Sequence, residues 1–228
     1  MKTIGILGGM GPVATAELYK NVIEYCQVNY GAVQDNEYPP IIMYSLPLEG
    51  TNETGIINES LVAKEFTKEI RKLEQAGADF IIIPCNTLHT FDAILRKESK
   101  IPVLSIVEEV VGKVKQGGVS KVGLLASKTT YDSKIYDVAL AKEKIQCVNP
   151  TEEKQAEISW IILNIMGGNN TQKDKQMLTS IIKDMKVDYV ILGCTELPVI
   201  IGPNDTEARV FDSVKILAQS AVDLARQK

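Results

Sequence analysis

The sequence predicts an α/β fold of two pseudosymmetric lobes, each a parallel sheet flanked by helices, with a cleft between them. Three observations carry this expectation. Short apolar runs alternate with amphipathic stretches along the whole chain. Several of those runs, such as FIII and YVIL, are unbroken, as strands covered on both faces require. The pattern also restarts past the midpoint. ADFIIIPCNTLH (78–89) aligns without gaps on VDYVILGCTELP (187–198), and TIGILGGMG (3–11) aligns on KVGLLASKT (121–129). The offsets are 109 and 118 residues, so the halves match in order but differ in loop length.

The elements follow in order. A strand over 3–7 leads to Pro12, which suits a first helical turn. Leu18, Tyr19, Val22, Ile23 and Cys26 recur at helical spacing, giving a helix over 12–29. A strand over 41–46 follows Pro39-Pro40, and 47–57 reads as a loop. Helix 59–75 turns Leu61, Val62, Phe66, Ile70 and Leu73 inward, and Gly77 is its stop signal. Strand 79–84, helix 88–98, strand 102–106 and helix 107–117 complete the first series. The second has strand 121–126, helix 131–143, strand 145–148 and helices 152–166 and 171–185. Strands 188–192 and 210–211 and a closing helix over 213–227 end it. The expected division puts 1–100 and 210–228 in the first lobe and 101–209 in the second.

Bulk properties narrow the function classes. The 228 residues carry a net charge of −4 and no basic stripe, which speaks against nucleic acid. No apolar run approaches the roughly 20 residues that span a bilayer. The apolar start of the chain is too short for a signal segment and runs into Gly-Gly-Met-Gly-Pro. A cytoplasmic protein with reduced thiols is expected, with no membrane partner. Four cysteines in no zinc spacing and a single histidine argue against a metal site.

Cys85 and Cys194 stand where their strands should end, and ligands of open α/β sheets bind outside such ends. If the lobes face each other, both thiols line one cleft. Small polar residues follow each of them, Asn86-Thr87 and Thr195-Glu196. A helix N-terminus there would favour a bound carboxylate and would favour thiolate over thiol. Two facing thiols suggest proton removal from one face of a carbon and delivery to the other, with inversion. Cysteine is also a common small hydrophobe of cores, which is the plainer reading of any one thiol. The repeated setting favours chemistry for Cys85 and Cys194. Cys26, on an apolar helix face, and Cys147 read as structural.

Gly8-Gly9-Met10-Gly11-Pro12 fits neither the dinucleotide nor the phosphate-loop pattern. It is either a plain tight turn or a loop that lets a substrate approach backbone N–H groups. His89 is an acid or base, an orienting group for the Cys85 end, or a structural histidine. Glu196 either sets the protonation of Cys194 or complements a helix N-terminus.

MKTIGILGGMGPVAT (1–15), GADFIIIPCNTLH (77–89), KVGLLAS (121–127) and LGCTE (192–196) together resemble the PLP-independent aspartate/glutamate racemases, most closely the aspartate racemases. The resemblance covers nearly the whole chain. It implies Cys85 and Cys194 as two catalytic bases, an amino-acid substrate with aspartate first and glutamate second, no cofactor or metal, and a homodimer. It implies that Asn86, Thr87 and Thr195 hold the α-carboxylate and amino group, and that Met10 and Ser127 line the pocket.

One departure bears on the substrate. Such racemases usually meet the distal carboxylate with basic residues, but LPLEGTNETGI (46–56) has no Lys or Arg and carries Glu49 and Glu53. Asn52 and Met166 fall near the two basic positions. Lys128 is the candidate replacement, so its expected place is in the pocket. Rival readings keep the frame: a racemase of a neutral amino acid or hydantoin, or a non-catalytic two-lobe protein that binds a carboxylate. Decarboxylases of similar architecture need only one thiol, and this chain has both.

Overall fold

The structure, a computed structural model, describes residues 1–52 and 55–227. Glu53, one of the loop acids named above, lies outside the described residues. Strands β1 (Ile4–Gly8), β2 (Ile41–Ser45), β5 (Phe80–Ile82) and β6 (Val103–Leu104) form one parallel sheet, ordered β2-β1-β5-β6. Strands β7 (Lys121–Ala126), β8 (Gln146–Val148), β9 (Tyr189–Gly193) and β10 (Arg209–Asp212) form a second, ordered β10-β9-β7-β8. The two α/β lobes expected from the sequence are present.

Alternation along each strand decides what covers it. Ile4 and Ile6 of β1 face a middle core shared with Val122 and Leu124 of β7. Helices α1 (Pro12–Tyr30), α4 (Ile106–Gln116) and α9 (Ser213–Arg226) fill that core with Leu18, Val22, Val110, Leu217 and Ala221. Leu7 faces the outer side, where α2 (Glu59–Gln75) supplies Val62, Phe66 and Ile70. Leu125, Val190 and Leu192 face outward on the second sheet, toward α7 (Glu152–Met166) and α8 (Gln172–Asp184). Both sheets are therefore covered on both faces, which is why their strands read as continuous apolar runs.

Strand pairing corrects the expected lobe boundaries. The strand at 103–104 belongs to the first sheet, although the second lobe was expected to begin at 101. The strand at 209–212 pairs with β9 in the second sheet, although 210 onward was expected in the first lobe. Only α9 turns back, packing on α1 and α4 between the sheets.

Three local differences matter for the cleft. The loop 47–57 contains a small antiparallel hairpin, β3 (Thr51–Asn52) with β4 (Gly55–Ile56). The helix expected over 88–98 is a 3₁₀ turn at Thr87–Phe91 followed by α3 (Asp92–Glu98). The helix expected over 131–143 is two, α5 (Lys128–Ser133) and α6 (Ile135–Lys142), broken where Lys134 adopts φ 57°. Ser127 starts α5 three residues early, because its hydroxyl caps the Thr130 N–H.

Candidate active site

The segments that follow β1, β2, β5, β7 and β9 meet at one place. After β1 the chain turns at Gly9, with φ 96°, and a side chain there would strike the Leu46 backbone. Thr15 fixes this turn from the first helical turn of α1. It accepts from the Gly9 N–H at 2.9 Å and donates to the Gly11 carbonyl at 3.0 Å. The loop then passes against the second lobe: a Cβ on Gly11 would lie 2.9 Å from Glu196 Oε1.

A cavity of about 240 Å³ opens between the lobes. Cys85 and Cys194 both line it, one from each lobe. Its polar part carries Asn86, Thr87, Ser127, Thr195 and Glu196, and its remaining wall includes Met10, Leu48, Thr51, Asn52 and Met166. Eight of the nine expected site residues thus meet in one place. The ninth, Lys128, does not line the cavity. Its side chain is 53% exposed and its ammonium is bonded to Asp132 at 2.7 and 2.9 Å, an i,i+4 pair on α5. That corrects the expected reach of Lys128 into the pocket.

The expected helix N-termini after the thiols are short 3₁₀ turns, Thr87–Phe91 and Leu197–Val199. A single turn aligns few peptide dipoles, so it adds little to thiolate stability. Side chains shape the site instead. Cys194, 7% exposed, donates its thiol proton to Glu196 Oε2 at 3.1 Å. Thr195 donates its hydroxyl to the same oxygen at 3.1 Å. Near Cys85 the position corresponding to Glu196 is Thr87, a neutral residue, so this carboxylate has no counterpart at that position.

Thr87 belongs to a triangle of hydroxyls that crosses the cleft. It lies 2.9 Å from Ser127 Oγ and 3.0 Å from Thr130 Oγ1, and Ser127 donates to Thr130 at 3.0 Å. With the Ser127 hydrogen engaged, Thr87 is the member that can turn its hydrogen toward a ligand, while both hydroxyls can accept from an ammonium group.

Asn86 is held by a second crossing network. Tyr136 donates to Asn86 Oδ1 at 2.6 Å, and Asn86 Nδ2 donates to Ser213 Oγ at 3.1 Å. Ser213 donates to the Leu192 carbonyl at 2.7 Å, two residues before Cys194. Burial drives the Tyr136 phenol far above its ordinary range, so it serves as a donor. Both thiol-bearing segments are thereby tied into one buried chain of hydrogen bonds.

His89 faces away from the cavity. The Ile106 N–H donates to Nε2 at 3.2 Å, so the ring hydrogen sits on Nδ1 and is donated to the Cys85 carbonyl at 2.9 Å. Burial holds its pKa below the ordinary value. Of the roles open from sequence, the structure supports the orienting one. Cys147 is pushed up to about 12 by burial and the Asp137 charge, and burial also raises Cys26, as befits structural thiols. Thr15, Leu48, Thr51, Thr130, Tyr136 and Ser213 escaped the sequence reading. Thr15, Leu48 and Thr51 lay within quoted segments, 1–15 and 46–56, but nothing there set them apart from their neighbours.

Among the described residues no group of three or more His, Cys, Asp and Glu side chains is arranged to hold a metal. No helix among them is long and apolar enough to cross a membrane.

Residues 7–221 match the Asp/Glu/Hydantoin racemase family. The chain is 31% identical over 221 residues to the broad specificity amino-acid racemase RacX of Bacillus subtilis, covering 96% of each chain. The crystal structure of an aspartate racemase homologue from Pyrococcus horikoshii superposes with a TM-score of 0.84 at 31% identity, covering 100% of both chains. Picrophilus torridus aspartate racemase gives a TM-score of 0.85 at 28% identity, covering 100% of this chain and 96% of that one.

Proposed function

Since the chain belongs to the Asp/Glu/hydantoin racemase family, we propose that it inverts the α-carbon of a free amino acid with Cys85 and Cys194 as a two-base pair. The observation that carries this reading is the shared cavity, with one thiol entering from each lobe. Aspartate, the substrate implied by the resemblance, has the required α-proton and α-carboxylate, as does every chiral α-amino acid.

In one direction Cys85 acts as a thiolate and removes the α-proton. A sulfur–hydrogen bond forms, and the carbon–hydrogen electron pair moves into the carboxylate as an enediolate. Cys194 begins as the thiol that Glu196 holds, and gives its proton to the opposite face of the carbon. It leaves as a thiolate, so the protons on the pair are exchanged while the total is unchanged. The reverse reaction starts from that exchanged state. Both thiols titrate as one coupled system under this scheme. Hydroxyl and N–H donors at Thr87, Asn86 and Thr195 stabilise the charge that grows on the carboxylate. Met10 and Asn52 contact the remainder of the substrate. The resemblance also implies a homodimer, which light scattering would check.

The test is α-proton exchange in D2O, followed by NMR and by chiral chromatography for a panel of amino acids. Deuterium should appear in the inverted enantiomer. Cys85→Ala and Cys194→Ala should each slow inversion by about 10²-fold or more, the range for loss of a general acid or base. Inversion that survives either change would overturn the two-base reading.

A further inference from the structure

We infer that the cavity selects an amino acid with a neutral side chain over an acidic or a basic one, an inference that rests on the racemase reading above. The cavity has two chemically distinct parts. Thr87 and Ser127 gather hydroxyls on one part, which suits the ammonium and carboxylate common to all amino acids. The rest of the wall must then meet the side chain.

The described residues of that wall are uncharged. Met10 and Leu48 pack against the outer core of the first lobe, and Met166 joins the lining from the end of α7. Thr51 and Asn52 of β3 supply neutral polar atoms. Among the described lining residues none is Lys, Arg or His, and Glu53 and Thr54, outside the described residues, are not cations either. Among the described lining residues Glu196 is the one carboxylate, and it already accepts from Cys194 and Thr195.

A second substrate carboxylate would therefore lose water without gaining a cation, in a cavity that already holds the Glu196 charge. A carboxylate removed from water needs a charged or multiply donating partner. A thioether, amide or hydroxyl side chain has no such need. Asn52, whose Oδ1 accepts from the Gly55 N–H at 3.1 Å, keeps this part of the wall polar without charge, and the methionine thioethers adapt to several shapes. The volume of about 240 Å³ lies below the roughly 300–1,000 Å³ of drug-sized sites, so the side chain is short to medium.

The test compares kcat/KM for α-proton exchange with L-asparagine, L-glutamine and L-methionine against L-aspartate, L-glutamate and L-lysine. The best neutral substrate should exceed each charged one by about tenfold or more. A charged amino acid used as well as or better than the neutral ones overturns this inference and leaves the racemase reading standing. No exchange with any amino acid overturns both. Met166→Arg, at a position 47% exposed, supplies an independent check. It should raise aspartate turnover relative to methionine by about tenfold. No gain for aspartate would mean that Met166 does not face the substrate side chain, and would overturn the assignment of that wall.

Discussion

Cys194 Sγ donates to the Glu196 carboxylate at 3.1 Å, and both groups are almost completely buried. A carboxylate at that distance favours the thiol over the thiolate, because two adjacent anions would repel in a poorly solvated place. Glu196→Gln removes the charge and keeps the shape. Alkylation of Cys194 at neutral pH should then become about tenfold faster, the effect of losing one charge-assisted hydrogen bond. Mass spectrometry of the alkylated peptide measures it, with Cys85 as the internal reference. An unchanged rate would remove Glu196 from the control of this thiol.

The bond from Tyr136 to Asn86 predicts a stability effect. Tyr136→Phe leaves the buried Asn86 Oδ1 without the donor it has at 2.6 Å. The cost should be about 1–3 kcal/mol in urea unfolding, with an unchanged m-value. Asn86 adjoins Cys85, so kcat should fall as well. A loss of stability with full activity would make the network structural only.

Lys128 yields a prediction of no effect. Its partner is Asp132, and exposed i,i+4 pairs contribute a few tenths of a kcal/mol. Lys128→Met should leave KM for every substrate within about twofold and stability within about 0.5 kcal/mol. A rise in KM confined to aspartate or glutamate would return Lys128 to the site.

The succession of the parallel strands along the chain was legible, because strands buried on both faces read as apolar runs, whereas their order within each sheet was not. Cys85 and Cys194 were legible because the same segment occurs twice, at the same end of a strand. The sheet to which 209–212 belongs was not, since pairing with β9 depends on a partner that its own residues do not encode. Tyr136 and Ser213 were invisible for a related reason. They meet Asn86 across sequence separations of 50 and 127 residues, with no local pattern to mark them. Lys128 was misread although its signal was present. Asp132 stands one helical turn later, and an ammonium with a carboxylate at i+4 is most simply satisfied there. The start of α5 at Lys128 was needed to see it.

His89 makes stability depend on pH in a defined direction. Burial depresses its pKa in the folded protein below the ordinary 6.5, so the native state favours the neutral ring. Well above pH 6.5 the ring is neutral whether the chain is folded or unfolded, and the Ile106–His89–Cys85 bonds contribute fully. Below that pH the unfolded state takes up a proton that the folded state resists, so the contribution declines until the folded pKa is passed. Protonation would also put a hydrogen on Nε2, against the Ile106 N–H. His89→Gln lacks this titration. The stability difference between wild type and His89→Gln, measured by urea unfolding, should therefore be constant above about pH 7 and shrink steadily as pH falls below about 6. Carboxylate titration largely cancels in that difference, because the two chains share every acid. A difference that holds constant, or grows, as pH falls would show that the buried ring is not kept neutral.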